Sequence, residues 1–341
     1  MFDFNLVNRW LLIAIAMQVC SGLVNAQDVK AGSTAYEDVS AFKAPPRSIK
    51  DVLTAIERTK IDPEESAKAK EVLGKPVPDG ADGEQMHAYY RGRSKAHQKI
   101  GRNDLALADI RLATGKYKST DKRSELESLL DLGIYESRGG NLKNAILAFE
   151  QAKAGIPRSL MGFYMSTNRL LVGSYAQAGN FEASDAALRD ADSALTLLKR
   201  SPNYTEMGPF WESNLEAARA FNFMAQGRWV EAERASRLSI QKIDIVTERY
   251  QNEAKVARGA DQQVALRNGR NAKQYKISRQ LDYAQSMMMQ GRLVDAEIQI
   301  REALDLALST FVRNSVEVGS ALNRLARVIR SEERRVGKEC L

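Results

Sequence analysis

Five glycines set the rhythm of this chain. Gly140 is followed in order by Ala145, Phe149 and Ala152, and the run closes at Pro157. The same order returns as Gly101, Ala106, Ile110, Ala113 and as Gly291, Ala296, Ile300, Ala303. Looser copies read Gly179, Ser184, Leu188, Ala191 and Gly227, Ala232, Ser236, Ser239. A recurring unit constrains a fold more than any single residue, because each copy must bury its apolar face against the next. Apolar positions on either side of each glycine fall at helical spacing, which predicts a helical hairpin with the glycine in its loop. The expectation is an all-α solenoid, a class that mostly binds other proteins.

Each position of the unit has a physical reason. Glycine takes positive φ without a Cβ penalty and so closes the first helix. The alanine of the second helix sits where two helices touch. The next apolar residue fills the space between neighbouring hairpins, and Pro157 stops the second helix. Small residues stand at the matching place in the first helices: Ser94, Gly133, Ala220 and Ala284. Successive loop glycines lie 39, 39, 48 and 64 residues apart, so the later hairpins need longer helices or extra loops. Ser201-Pro202-Asn203 and Gly208-Pro209 predict one such loop, and residues 233–290 read as long helices with breaks near Gly259 and Gly269.

Ahead of the array, residues 27–84 read as a linker and a short helical lead-in. Ala44-Pro45-Pro46 ends the linker. Apolar Ile49, Val52, Leu53 and Ile56 mark one short helix. Asp62 and Pro63 mark the cap and first position of a second, which stops near Gly74. Residues 1–26 carry Arg9, an apolar run from Trp10, and small residues up to Ala26, the pattern of a secretory signal peptide. The apolar core is too short to span a bilayer, which needs about 20 residues. Cys20 admits an outer-membrane lipoprotein reading, against which Val19 is bulkier than the residue that usually precedes a lipidated cysteine. Cys20 and Cys340 are the two cysteines of the chain, so the body between them is held by packing alone. The net charge of +7 includes no Lys/Arg run longer than two, and export argues against nucleic acid as the partner.

The loop glycines Gly101, Gly140, Gly179, Gly227 and Gly291, with Ala106, Ala145, Phe149, Ala152, Ala232, Ala296 and Ala303 after them and Gly133 and Pro157 in the second copy, resemble the tetratricopeptide-repeat family. The resemblance covers about residues 85–330, as five hairpins and a partial sixth. It implies a tetratricopeptide-type α-solenoid, a right-handed superhelix of helical hairpins whose first helices line a concave groove. Ser184, Ser236 and Ser239 depart from the family pattern, which puts local packing there in question. The period fails after Arg330, where a loop glycine is due near position 333, and residues 331–341 read as a non-native tail.

A second resemblance is one of arrangement. Signal peptide, Pro-Pro lead-in and long-period repeats look like the N-terminal region of exported bacterial CHAT-domain proteins. There a caspase-like domain follows the repeats. On that resemblance the chain is the docking arm of a longer protein truncated here, and any catalytic domain lies beyond it. The alternative is a self-contained periplasmic scaffold for envelope assembly or secretion.

The chain itself offers little for chemistry. His87 and His97, its only histidines, lack zinc-ligand spacing and read as solvated or interface residues. No nucleophile elbow, phosphate loop or dinucleotide fingerprint occurs. The expectation is therefore no enzyme activity, no cofactor and no metal. The partner is a protein or peptide, at a groove formed by Arg91, Lys95, Gln98, Arg169, Asn214, Phe221, Gln285 and Met288. Flexible methionines suit adaptable contacts.

Overall fold

The hairpin loops repeat one backbone geometry five times. In the computed structural model, Gly101, Gly140, Gly179, Gly227 and Gly291 all take φ between +73° and +81°. After each glycine the next amide reaches back to the carbonyl five residues earlier: Arg102 to His97 (2.9 Å), Asn141 to Glu136 (2.8 Å), Asn180 to Tyr175 (2.9 Å), Arg228 to Phe223 (2.9 Å) and Arg292 to Met287 (3.0 Å). This is the double-bonded glycine cap of a helix C-terminus, and it satisfies carbonyls the helix leaves open.

The structure describes residues 53, 54, 57, 63–311, 313 and 315–339. The signal peptide, the linker, Asp62, both cysteines and most of the first lead-in helix lie outside them. The described elements are α1 (Pro63–Gly74), α2 (Gly83–Lys99), α3 (Asn103–Thr114), α4 (Lys122–Arg138), α5 (Leu142–Gly155), α6 (Met161–Gln177), α7 (Phe181–Leu198), α8 (Tyr204–Ala225), α9 (Trp229–Val256), α10 (Gly259–Met289), α11 (Leu293–Thr310) and α12 (Val316–Glu339). A single 3-10 turn, Arg158–Leu160, links α5 to α6 behind Pro157. Among the described residues there is no strand. Each helix packs on its neighbours in chain order, as an α-solenoid requires.

The signature positions are the core. Ala106, Ala145, Ala232, Ala296 and Ser184 are buried, as are Ile110, Phe149, Ile300, Ala113, Ala152, Ala191 and Ala303. Gly133 shows why a small residue is needed on a first helix: a Cβ there would lie 2.3 Å from the Phe149 ring. Three apolar clusters follow one another along the array. Residues of α6 serve the first and second (Phe163 and Leu170, then Met165), and residues of α10 serve the second and third (Tyr275, then Ile277 and Leu281).

The departures from the sequence reading have local causes, and the long helices and the break at Gly259 are as expected. Gly208 and Pro209 lie inside α8, not in a loop; Pro209, the sixth residue of the helix, gives up one intrahelical hydrogen bond there. Gly259 (φ +59°) makes the corner between α9 and α10, whereas Gly269 is a buried residue within α10, close beneath Tyr250. The single hairpin from Trp229 to Met289, with helices of 28 and 31 residues, accounts for the widest glycine spacing. Finally, α12 runs on to Glu339, past the place where the period put a loop. No glycine stands at positions 331–336, and the Ser331–Arg335 stretch is compatible with helix.

Candidate functional site

The two rows of helices are not equivalent. In the first row, α6 touches α8, α8 touches α10, and α10 touches α12, while the helices of the second row (α3, α5, α7, α9, α11) make no comparable contacts with one another. From α6 to α12 the array therefore bends toward the first row, whose helices form the inner face there. Charges on this face sense one another over long chain separations: Arg138 on α4 feels Glu317 on α12.

At the α2 end, the expected groove residues are engaged in ion pairs. Arg91 reaches Glu127 (2.7 Å) and Asp131 (3.4 Å) on α4, and Lys95 reaches Asp131 (3.5 Å). Burial pulls the Arg91 guanidinium down, but Asp131 and Glu127 more than offset it and hold it above its usual value. The pairs join neighbouring hairpins and leave Lys95 the more exposed cation, at 40% against 15% for Arg91. Gln98 is half-buried beside them.

The centre is denser. Asn214 on α8 is buried and accepts a hydrogen bond from Arg279 Nη2 on α10 at 2.9 Å. Arg279 also lies over the Tyr275 ring, 5.6 Å from its centroid, and Tyr275 meets Phe210 edge-on at 5.3 Å. Arg324 on α12 donates to Gln285 on α10. Half-buried Arg169 on α6 feels Asp282 and the Tyr275 phenol. Burial lowers the pKa of all three arginines, that of Arg279 to about 10, with Arg169 adding to the effect on Arg279. Burial raises Asp282 against the pull of Arg324, Arg279 and Arg169. Phe221 and Met288 are half-buried, and Met287 and Leu281 on the same stretch of α10 as Met288 are core.

Sequence reasoning thus finds Arg169, Asn214 and Gln285 but misses Tyr275, Arg279, Asp282 and Arg324. The signal for the first three lies in their spacing along α10, which puts Tyr275, Arg279 and Asp282 on one helix face. Arg324 carries no such signal, because its partner lies on another hairpin.

Both histidines are buried, not solvated. His87 Nδ1 lies 3.0 Å from the Ala113 carbonyl and 2.9 Å from that of Tyr117, so this nitrogen must carry the proton. Nε2 then accepts from the Ser128 hydroxyl at 3.1 Å. A hydroxyl–imidazole pair can make a nucleophile, and this one borders a cavity of about 270 Å³ shared with Lys118, Lys122 and Gln151. Ser128 has 0% of its surface exposed, so the pair acts as a staple between α2, α4 and the loop before α4. Among the described residues, no three His, Cys, Asp or Glu side chains gather as a metal site, and no helix is long and apolar enough to cross a membrane. Comparison with known proteins gives no match, either to a protein-family model or to a curated protein.

Proposed function

We propose that the chain is an exported tetratricopeptide-type scaffold that binds a peptide or helix of a partner protein along the inner face of its first-row helices. The observation that carries this reading is the unequal spacing of the two rows. The first-row helices α6, α8, α10 and α12 touch one another in sequence on one side, and that side carries polar, aromatic and methionine side chains from successive hairpins. Repeat arrays use such faces to read extended partners. The first 26 residues direct the chain to the periplasm on this reading, and the resemblance in arrangement to CHAT-domain proteins makes it the docking arm of a longer polypeptide. Reading the gene beyond the codon for Leu341 tests that last part.

The binding reading is tested with a photo-cross-linking residue placed singly at Phe221 or Met288 on the inner face, and at Leu147 or Val256, which are 54% and 80% exposed elsewhere. In cells, the two inner positions should capture one common partner that the other two do not. Equal capture from all four, or capture from Leu147 and Val256 alone, rejects the inner face as the binding surface.

A further inference from the structure

We propose that the centre of the inner face is a site for an acidic stretch of polypeptide, held by Arg169, Arg279 and Arg324 around the single carboxylate of Asp282. This rests on the inner face being the binding surface, and it names the chemistry of what binds there. Three hairpins supply the cations: Arg169 from α6, Arg279 from α10 and Arg324 from α12. These three guanidiniums face one carboxylate, with Arg327 also acting on Arg324, which leaves the cluster net positive.

The cluster has a second mark of a binding site. Nε of Arg169 and Nε of Arg279 are buried with no hydrogen-bond acceptor among the described residues. Arg279 is only 4% exposed, held by Asn214 and the Tyr275 ring, so its orphaned N–H cannot simply turn out to bulk water. A buried cationic donor without an acceptor is costly, and a ligand carrying acceptors removes the cost.

Two features favour spaced carboxylates over a compact anion. Asp282 interacts electrostatically with all three arginines, so the unmet charge is spread over three guanidiniums instead of converging on one point. Half-buried Phe221 on α8 and Met288 on α10 offer apolar surface to the backbone and methylenes of a peptide. Arginine is suited to carboxylates because its planar fork can donate two parallel hydrogen bonds.

The test is fluorescence anisotropy with the full chain. The probe is a short fluorescein-labelled peptide of glutamates spaced by glycine and serine, with an amidated C-terminus. The control has glutamine for glutamate. The glutamate peptide should bind and the glutamine peptide should not, with affinity falling as salt rises. Arg169→Gln and Arg324→Gln should each weaken binding about tenfold, and Arg324→Lys should recover part of that loss. Asp282→Asn should tighten binding about tenfold, because it removes the one repulsive charge. Tightening cannot arise from a misfolded variant.

Competition by pyrophosphate as strong as by the glutamate peptide would overturn the proposal in favour of a compact-anion site. Binding of a glutamine peptide with a free C-terminal carboxylate would overturn it in favour of terminal recognition. Weakened binding in Asp282→Asn, or no binding of the glutamate peptide, also overturns it. If neutral peptides selected on the full chain cross-link to Phe221 and Met288, the inner face remains the binding surface and only its acidic specificity fails.

Discussion

Gly133→Ala adds one methyl group at the most crowded of the described glycines. The new Cβ would lie 2.3, 2.6 and 2.8 Å from three atoms of the Phe149 ring. Carbon atoms rest about 3.5–4.0 Å apart, so the ring or the helix must move by about an ångström. Phe149 is 1% exposed and packed among Ala106, Leu130 and Ala152, which leaves the ring nowhere to go. Overpacking of this kind costs about 1–3 kcal/mol, and three close atoms place it near the top of that range. Replacing a mid-helix glycine by alanine returns about 1 kcal/mol. The expected net loss is about 2 kcal/mol, read from urea unfolding followed by circular dichroism. Gly92→Ala is the control: it lies within α2 with nothing within 4 Å of its built Cβ, so it should gain about 0.5–1 kcal/mol. Phe149→Leu should cost about 1–2 kcal/mol alone but little in the Gly133→Ala background, a coupling of at least about 1 kcal/mol. The reasoning is refuted if Gly133→Ala matches or exceeds the parent in stability, or if the two substitutions simply add.

Three further outcomes follow from named contacts. Ser239→Ala should cost about 1 kcal/mol in the same unfolding assay, because Ser239 Oγ donates to the Ser213 carbonyl at 2.7 Å; Ser236→Ala should be neutral or stabilising, since Ser236 Oγ is buried with no partner among the described residues. Gly140→Ala should cost about 1–2 kcal/mol through its φ of +81° alone, as no atom lies within 4 Å of the built Cβ, whereas Gly139→Ala one residue earlier at φ −75° should stay within about 0.5 kcal/mol. Burial holds the His97 imidazole below its ordinary 6.5, against the pull of Asp109; the unfolded chain therefore takes up this proton first as pH falls. Its contribution is present above 6.5 and is lost between 6.5 and the lower folded value. Urea midpoints measured across that window should fall less steeply in His97→Gln than in the parent.

The loops were the most legible part of the fold, for a physical reason. A residue that must take positive φ is almost always glycine, and a residue wedged between two helices must be small, so Gly140 and Ala145 leave marks in sequence that few alternatives can produce. The serines show where that logic runs short. Ser184 looks like a packing flaw, yet its hydroxyl lies 2.9 Å from the Val172 carbonyl and 2.8 Å from Asn222 Oδ1, which ties α7 to α6 and α8. Ser239 and Ser213 bond each other's carbonyls across α9 and α8. Gly259 and Gly269 look alike in sequence, but one turns a corner and the other makes room beneath Tyr250, and only the tertiary packing tells them apart. The central cluster was the least legible. Arg169, Asp282 and Arg324 come from separate hairpins, and it is the bend of the array that brings their charges into range of one another.

Hydrogen–deuterium exchange of the full chain, with and without a bound peptide, tests the central claim most directly. The peptide is one selected for binding from an unbiased library. The account predicts slowed exchange on the inner helices α6, α8, α10 and α12, with α7, α9 and α11 unchanged. Slowing confined to those outer helices, or to the loops, would contradict it.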